Sequence, residues 1–193
     1  MDRTSETLEM PRDEALRLVV VADTHSRPDP RSPSLIAAQR PHHILHAGDI
    51  GSPAVLGTLE AIAPVTAVRG NIDAKMPGVP DVVTIDVRDG GATLLTMLLL
   101  HVALYGPQLR ADAARLARAA GASLVVCGHS HVPFMGRDKG IAVLNAGSIG
   151  PRRFKLPIVF AVVDIARDGV QMHHVNCETG QPWHPGPSRP YVK

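Results

Sequence analysis

Aromatic residues are scarce in this 193-residue chain, at 3%, and cysteine is confined to Cys127 and Cys177. So few rings leave little platform for stacking nucleobases. Two thiols without a CxxC spacing build neither a disulfide scaffold, a redox pair nor a zinc knuckle. Cys127 is expected to pack as a small apolar side chain. Runs of like charge are also lacking: the net charge is +2 and the arginines are scattered, so no nucleic-acid arm is evident. The longest apolar run, residues 97–100 with Leu94 and Leu95 just before it, falls far short of the roughly 20 residues that cross a bilayer. The opening MDRTSETLEMPRDE is polar and carries acids, unlike a signal or transit peptide. The expectation is a cytoplasmic protein with no membrane partner, and association into a homo-oligomer is left open.

What is present suits one folded domain. Hydrophobic residues make up 45% and charged residues 20%, and the length is enough to bury a real core. Residues 1–15 are expected as a flexible leader, 16–176 as the folded domain, and 177–193, rich in proline and glycine, as a tail. Between the ends, Val-, Ile- and Leu-rich runs alternate with helical patterns, which marks an α/β fold with a partly parallel sheet. Strands are expected at 16–22, 43–47 and 65–68, with helices at 34–40 and 53–62 between them. A hairpin of 82–87 and 93–100 follows, turned by Arg88-Asp89-Gly90-Gly91. The clearest helix is 107–120: Pro107 sits near its first turn, Gly121 follows its end, and Leu109, Ala113, Leu116, Ala117 and Ala120 form one apolar stripe. Strands at 123–127, 141–144, 158–164 and 170–175 complete the chain.

Each core strand runs out into a metal-capable side chain. The first ends in Asp23-Thr24-His25, the second in Gly48-Asp49, the third in Gly70-Asn71; the strand through Leu100 ends at His101, and the next in Gly128-His129-Ser130-His131. In an open α/β sheet the carboxyl ends of parallel strands meet at one edge, where ligands bind. Asp23, His25, Asp49, Asn71, His101, His129 and His131 are therefore expected to converge, enough to serve two divalent ions about 3.5–4 Å apart, with Asp49 as the natural bridge. The donors are hard oxygens and imidazoles without thiolate, a set that suits Mn²⁺, Fe²⁺ or Zn²⁺, with Mn²⁺ favoured.

DTH, GD, GN, a lone histidine and GHSH, in that order, resemble the calcineurin-like metallophosphoesterases, specifically the small bacterial and archaeal phosphodiesterases related to the retromer scaffold subunit. The resemblance spans residues 17–165, and Asn145–Arg153, NAGSIGPRR, is similar to that subfamily's NPGS-type loop. It implies a four-layer αββα sandwich with the site at its upper edge. It also implies that Asp23, His25, Asp49 and His131 hold one ion, while Asp49, Asn71, His101 and His129 hold the second. The chain departs from the pattern at His101-Val102-Ala103, where relatives usually continue with glycine, and at Ile72, where larger relatives carry a histidine that assists the leaving group.

The function this implies is hydrolysis of a phosphoester, most naturally a diester, by a metal-bridging hydroxide attacking phosphorus in line. With no acid at Ile72, diesters whose leaving groups depart well as anions are favoured. Arg69, Arg152 and Arg153 are candidates for clamping the phosphate, or else are solvated. Asp73 either orients a ligand or caps a turn. His42, His43 and His46 read as structural or surface groups, and His173, His174 and His184 as surface groups. The rival reading is a protein-binding scaffold of the same fold.

Overall fold

A computed structural model describes residues 1–184. In chain order its elements are β1 (Arg3–Glu9), β2 (Leu16–Val21), α1 (Ser32–Ala38), β3 (His43–His46), α2 (Pro53–Glu60), β4 (Val65–Ala67), β5 (Val82–Asp89), β6 (Ala92–Leu100), β7 (Leu104–Tyr105), β8 (Gln108–Leu109), α3 (Ala111–Ala119), β9 (Leu124–Cys127), β10 (Phe134–Asp138), β11 (Ile141–Asn145), β12 (Val159–Ala166), β13 (Gly169–Asn176) and β14 (Pro182–Trp183). They build two six-stranded sheets, ordered β1-β5-β6-β9-β11-β10 and β14-β13-β12-β2-β3-β4. Both are mixed: β2, β3 and β4 run parallel in one, and β6, β9 and β11 in the other.

Side-chain alternation turns these sheets into four layers. Leu18, Val20 and Ala22 face the opposite sheet and pack with Ile85, Leu99 and Val126. Val19 and Val21 point the other way, against Ile36 of α1 and Leu59 of α2. On the far face of the sheet that holds β6 and β9, Val125 and Leu98 pack on Ala113 and Ala117 of α3. A strand covered on both faces is apolar at nearly every position, which is why β2 reads as LRLVVV, interrupted only by Arg17, rather than as an alternation. Each fully buried Val or Leu contributes about 1.5–3 kcal/mol. The αββα sandwich is the arrangement that covers all four sheet faces' worth of such residues with only three helices.

Several segments differ from expectation; one is β10, an unexpected edge strand paired antiparallel with β11. Residues 1–15 are not a loose leader: β1 pairs in parallel with β5 along the edge of its sheet, Arg3 opposite Val82 through Glu9 opposite Arg88. Its sequence conceals this because an edge strand needs only part of one face buried; among RTSETLE only Leu8 is fully covered. The helix expected at 107–120 starts four residues later. Gly106, at φ 56, and Pro107 turn a short hairpin in which Leu104 pairs with Leu109, so the proline serves a turn rather than a helix start. Within the tail, Cys177 is buried and Trp183 pairs opposite His174; residues 185–193 lie outside the described residues. Among the described residues, no helix is long and apolar enough to cross a membrane.

Candidate metal centre

The loops after β2, β3, β4, β6 and β9 bring their polar residues together across the top of both sheets. Two overlapping groups have ligand atoms within 4.8 Å of one another: Asp23, His25 and His131, and Asp23, Asp49 and His101. His25 Nε2 lies 3.3 Å from His131 Nε2 and 3.6 Å from Asp49 Oδ2. His131 Nε2 is 3.5 Å from Asp23 Oδ1, and His101 Nε2 is 3.4 Å from Asp49 Oδ1 and 3.1 Å from Asn71 Oδ1. Donors that share an ion at about 2.1 Å stand roughly 3.0–3.4 Å apart for octahedral or tetrahedral angles; three of these spacings fall in that range, and the His25–Asp49 and His131–Asp23 pairs lie just above it. Asp49 turns Oδ2 to His25 and Oδ1 to His101. His129 presents its ring edge-on to His101, centroids 5.1 Å apart, on the side of the second group.

Burial supports the same reading. Asp23 is fully buried, and its Oδ1 has no hydrogen-bond partner; its pKa is pushed up to about 8 by burial and by the neighbouring Asp49 carboxylate. A buried acid aimed at other ligands is costly without a balancing cation. Burial also lowers the pKa of His25, His101 and His131, the last to about 4. Each is thereby held neutral and keeps a nitrogen lone pair. For His101 the tautomer follows from geometry: Nδ1–H donates to the Ala47 carbonyl at 2.7 Å, which leaves Nε2 facing the site.

The backbone is strained where the ligands sit. Asp23, His25, Asp49, His129 and His131 all adopt positive φ, between 46° and 73°, a conformation that costs non-glycine residues about 1–3 kcal/mol each. Close approach explains two glycines: a Cβ on Gly48 would meet His101 Nδ1 at 2.6 Å, and one on Gly70 would meet the Asp49 nitrogen at 2.1 Å. Asp73 holds two of the loops together. Its carboxylate accepts from Ile50, Gly51 and Gly70 at 3.0, 2.8 and 2.8 Å, so it orients the Asp49 turn as well as closing its own. His46 is structural: it lies 3.0 Å from Thr24 Oγ1 and accepts from the Gly48 N–H. His43 bonds Thr66, which in turn donates to Glu6 of β1.

Three placements were not legible beforehand. The NAGSIG loop supplies no ligand yet holds two ligand loops from behind: Asn145 Nδ2 donates to the Gly128 carbonyl at 2.6 Å, and Ser148 Oγ donates to the Asp23 carbonyl at 3.0 Å. His174, expected at the surface, is fully buried, and its Nε2 lies 2.8 Å from the Asn145 carbonyl; the alternation that buries it belongs to a strand paired on both sides by β12 and β14. The three arginines separate. Arg69 engages Asp81 and Arg152 engages Glu178 and the Leu156 carbonyl, while Arg153 reaches the cluster and donates to His25 Nε2 at 3.2 Å. Cys127 and Cys177 are buried free thiols, both pushed up to about 12 by burial.

Known proteins share this fold and sequence pattern. A vacuolar protein sorting 29 from Cryptosporidium parvum superposes with a TM-score of 0.71 at 17% identity, covering 88% of this chain and 95% of that one. Vacuolar protein sorting 29 of Entamoeba histolytica, solved in complex with Zn²⁺, gives 0.69 at 20% identity, covering 86% and 96%. A probable metallophosphoesterase of Methanothermobacter thermautotrophicus is 31% identical over 84% of this chain and 92% of its own length. The calcineurin-like phosphoesterase superfamily domain matches residues 16–168. With the matched region running from the first buried strand through the last one behind the cluster, the chain belongs to the calcineurin-like phosphoesterase superfamily.

Proposed function

We propose that this protein is a phosphodiesterase with a two-ion centre, Asp23, His25, Asp49 and His131 holding one ion and Asp49, Asn71, His101 and His129 the other. The observation that carries it is Asp49, whose two oxygens lie 3.6 Å from His25 and 3.4 Å from His101, between the two groups of donors. Two divalent ions there, Mn²⁺ by preference, would supply a hydroxide nucleophile near neutral pH and neutralise charge developing on the phosphoryl oxygens. The zinc of the Entamoeba structure shows that a related fold takes a divalent ion, which supports the metal part of the reading.

The chain's own residues position and select. The Ile72 N–H donates to Asp49 Oδ1 at 3.2 Å and the His129 N–H to Asp23 Oδ2 at 2.9 Å, so each carboxylate is held by backbone on one oxygen. Arg153, in contact with His25, is placed to meet a phosphoryl oxygen of a bound ester. Ile72 offers no proton to a leaving group, so esters of acidic alcohols should react fastest. A protein-docking role, suggested by the vacuolar sorting neighbours, is the second reading; the complete donor set weighs against it.

The test is metal content with Mn²⁺-dependent hydrolysis of bis(p-nitrophenyl) phosphate, in wild type and Asp49→Ala. Wild type should bind two ions and turn over; the variant should lose metal and at least 100-fold in kcat/KM, as removal of a shared ligand predicts. Asp49→Ala protein that keeps two ions and near-normal hydrolysis would falsify the site.

A further inference from the structure

Phe154 is placed where an aromatic side chain normally is not. Of the three phenylalanines, Phe160 is fully buried and Phe134 packs against the outer core beside α3, whereas Phe154 is 92% exposed at φ 53. Exposure forgoes the burial of a large ring, and the positive φ adds backbone strain. Isolated exposed apolar residues are ordinary, but this one directly follows Arg153, whose guanidinium touches His25. Two further exposed apolar residues stand one position beyond cluster residues: Ile72, 51% exposed, follows Asn71, and Val132, 46% exposed, follows His131. Both are held by the site's loops, Ile72 through its N–H on Asp49 Oδ1 and Val132 through its N–H on Ser130 Oγ.

We infer that Phe154, Ile72 and Val132 form an apolar collar around the metal centre, which receives the organic group of a small phosphodiester, with an aromatic ring of that group stacking on Phe154. The inference rests on the phosphodiesterase reading and names its substrate class: a diester carrying at least one flat ring, aryl or nucleoside. The chemistry of the rim fits such a molecule. Arg153, with Lys155 in the same loop, supplies positive charge for the single anionic charge of a diester, while the collar covers the neutral substituent. A phosphate monoester, dianionic and with one substituent, would use the charge but less of the collar. Stacking of a ring on an exposed aromatic is worth on the order of tenfold in affinity.

The experiment compares wild type, Phe154→Ala and Phe154→Tyr, all Mn²⁺-loaded, on bis(p-nitrophenyl) phosphate and methyl p-nitrophenyl phosphate. Both release p-nitrophenolate, so only the retained group differs. The wild-type preference for the bis-aryl ester, read as a ratio of kcat/KM, should fall about tenfold in Phe154→Ala and persist in Phe154→Tyr. Calorimetric binding of diphenyl phosphate, against dimethyl phosphate, should weaken by a similar factor and reads the ring contact without turnover. Binding of diphenyl phosphate through Phe154 by an inactive wild type sinks the phosphodiesterase reading and leaves the collar standing. Active wild type whose preference and diphenyl phosphate affinity are unchanged in Phe154→Ala overturns the collar, as does a wild type that neither hydrolyses nor binds the aryl esters. If Phe154→Ala instead alters the oligomeric state while the preference holds, the rim is a protein contact and the inference falls.

Discussion

At the scale of single residues, the site is maintained against local preference. His129 combines φ 73 with an exposed position, so removing its side chain gives up little burial while relieving strain. His129→Gly is expected to leave the stability of the metal-free protein within about 1 kcal/mol, strain relief and added chain entropy nearly offsetting, while hydrolysis falls at least tenfold. Thermal unfolding with and without Mn²⁺ reads both; a large loss of metal-free stability would show that the ring packs as structure. His174 gives a pH test. Burial pushes its pKa down to about 4, against an ordinary value of about 6.5, and its buried Nδ1 has no partner to accept an added proton's hydrogen bond. Between those values the unfolded chain binds a proton that the folded one excludes. The contribution of His174 to stability is therefore full above about pH 6.5 and lost as pH falls toward 4, at up to about 1.4 kcal/mol per pH unit. His46, also pushed down to about 4 by burial, adds to the wild-type slope. His174→Gln should flatten the slope in part, measured by urea melts between pH 4 and 7, and identical slopes in the two proteins would refute the assignment.

At the scale of elements, β1 shows how a polar segment can be structural. It covers β5, whose Val83, Ile85 and Val87 belong to the inter-sheet core, and Glu6 points inward to Thr66 and near His43. Asp81 fastens the start of this strand, accepting from the Asp2 N–H at 2.6 Å and from Arg69. Deleting residues 1–10 would bare β5 as an edge with unpaired backbone groups. The truncated protein is expected to unfold at lower temperature and to self-associate with rising concentration, followed by light scattering; a monomer as stable as the full chain would contradict that role. Limited proteolysis of the full chain should likewise spare residues 3–9. The strands with apolar runs, β2, β3, β9 and β12, were legible because burial on both faces leaves a mark at every position. β1 was not, since a single buried leucine in seven residues resembles a loop. The start of α3 was misread because Pro107 suits a helix's first turn and a hairpin's turn equally, and only the pairing of Leu104 with Leu109 decides between them.

At the scale of the whole molecule, the two halves of the centre differ in shelter. Asp23 and His131 are buried, whereas Asn71 and His129 are exposed at the mouth, and the second set of donors has one carboxylate, Asp49, where the first has two. Less anionic charge and more water both weaken a hold on a dication. Mild chelation of the Mn²⁺-loaded protein should remove one ion ahead of the other, with hydrolysis falling as the first leaves, and Asn71→Asp should tighten the weaker site. Asp23, which also lies within reach of Asp49 and His101, narrows that difference without removing it. Two equal and independent sites in a titration, unchanged in Asn71→Asp, would rule out the asymmetry. The α/β character and the order of metal-capable residues at strand ends were determined by the sequence alone, because periodicity and short motifs are written in consecutive residues. Tertiary structure decided which of those residues meet, that Asp23 touches both groups of donors, that Asn145 and Ser148 hold the ligand loops, and that Arg153 rather than Arg69 reaches the cluster. The His129 N–H meets Asp23 Oδ2 across 106 residues of chain. No local pattern encodes such a contact, for it exists only once the packing of two sheets has brought the ends of their strands to one edge.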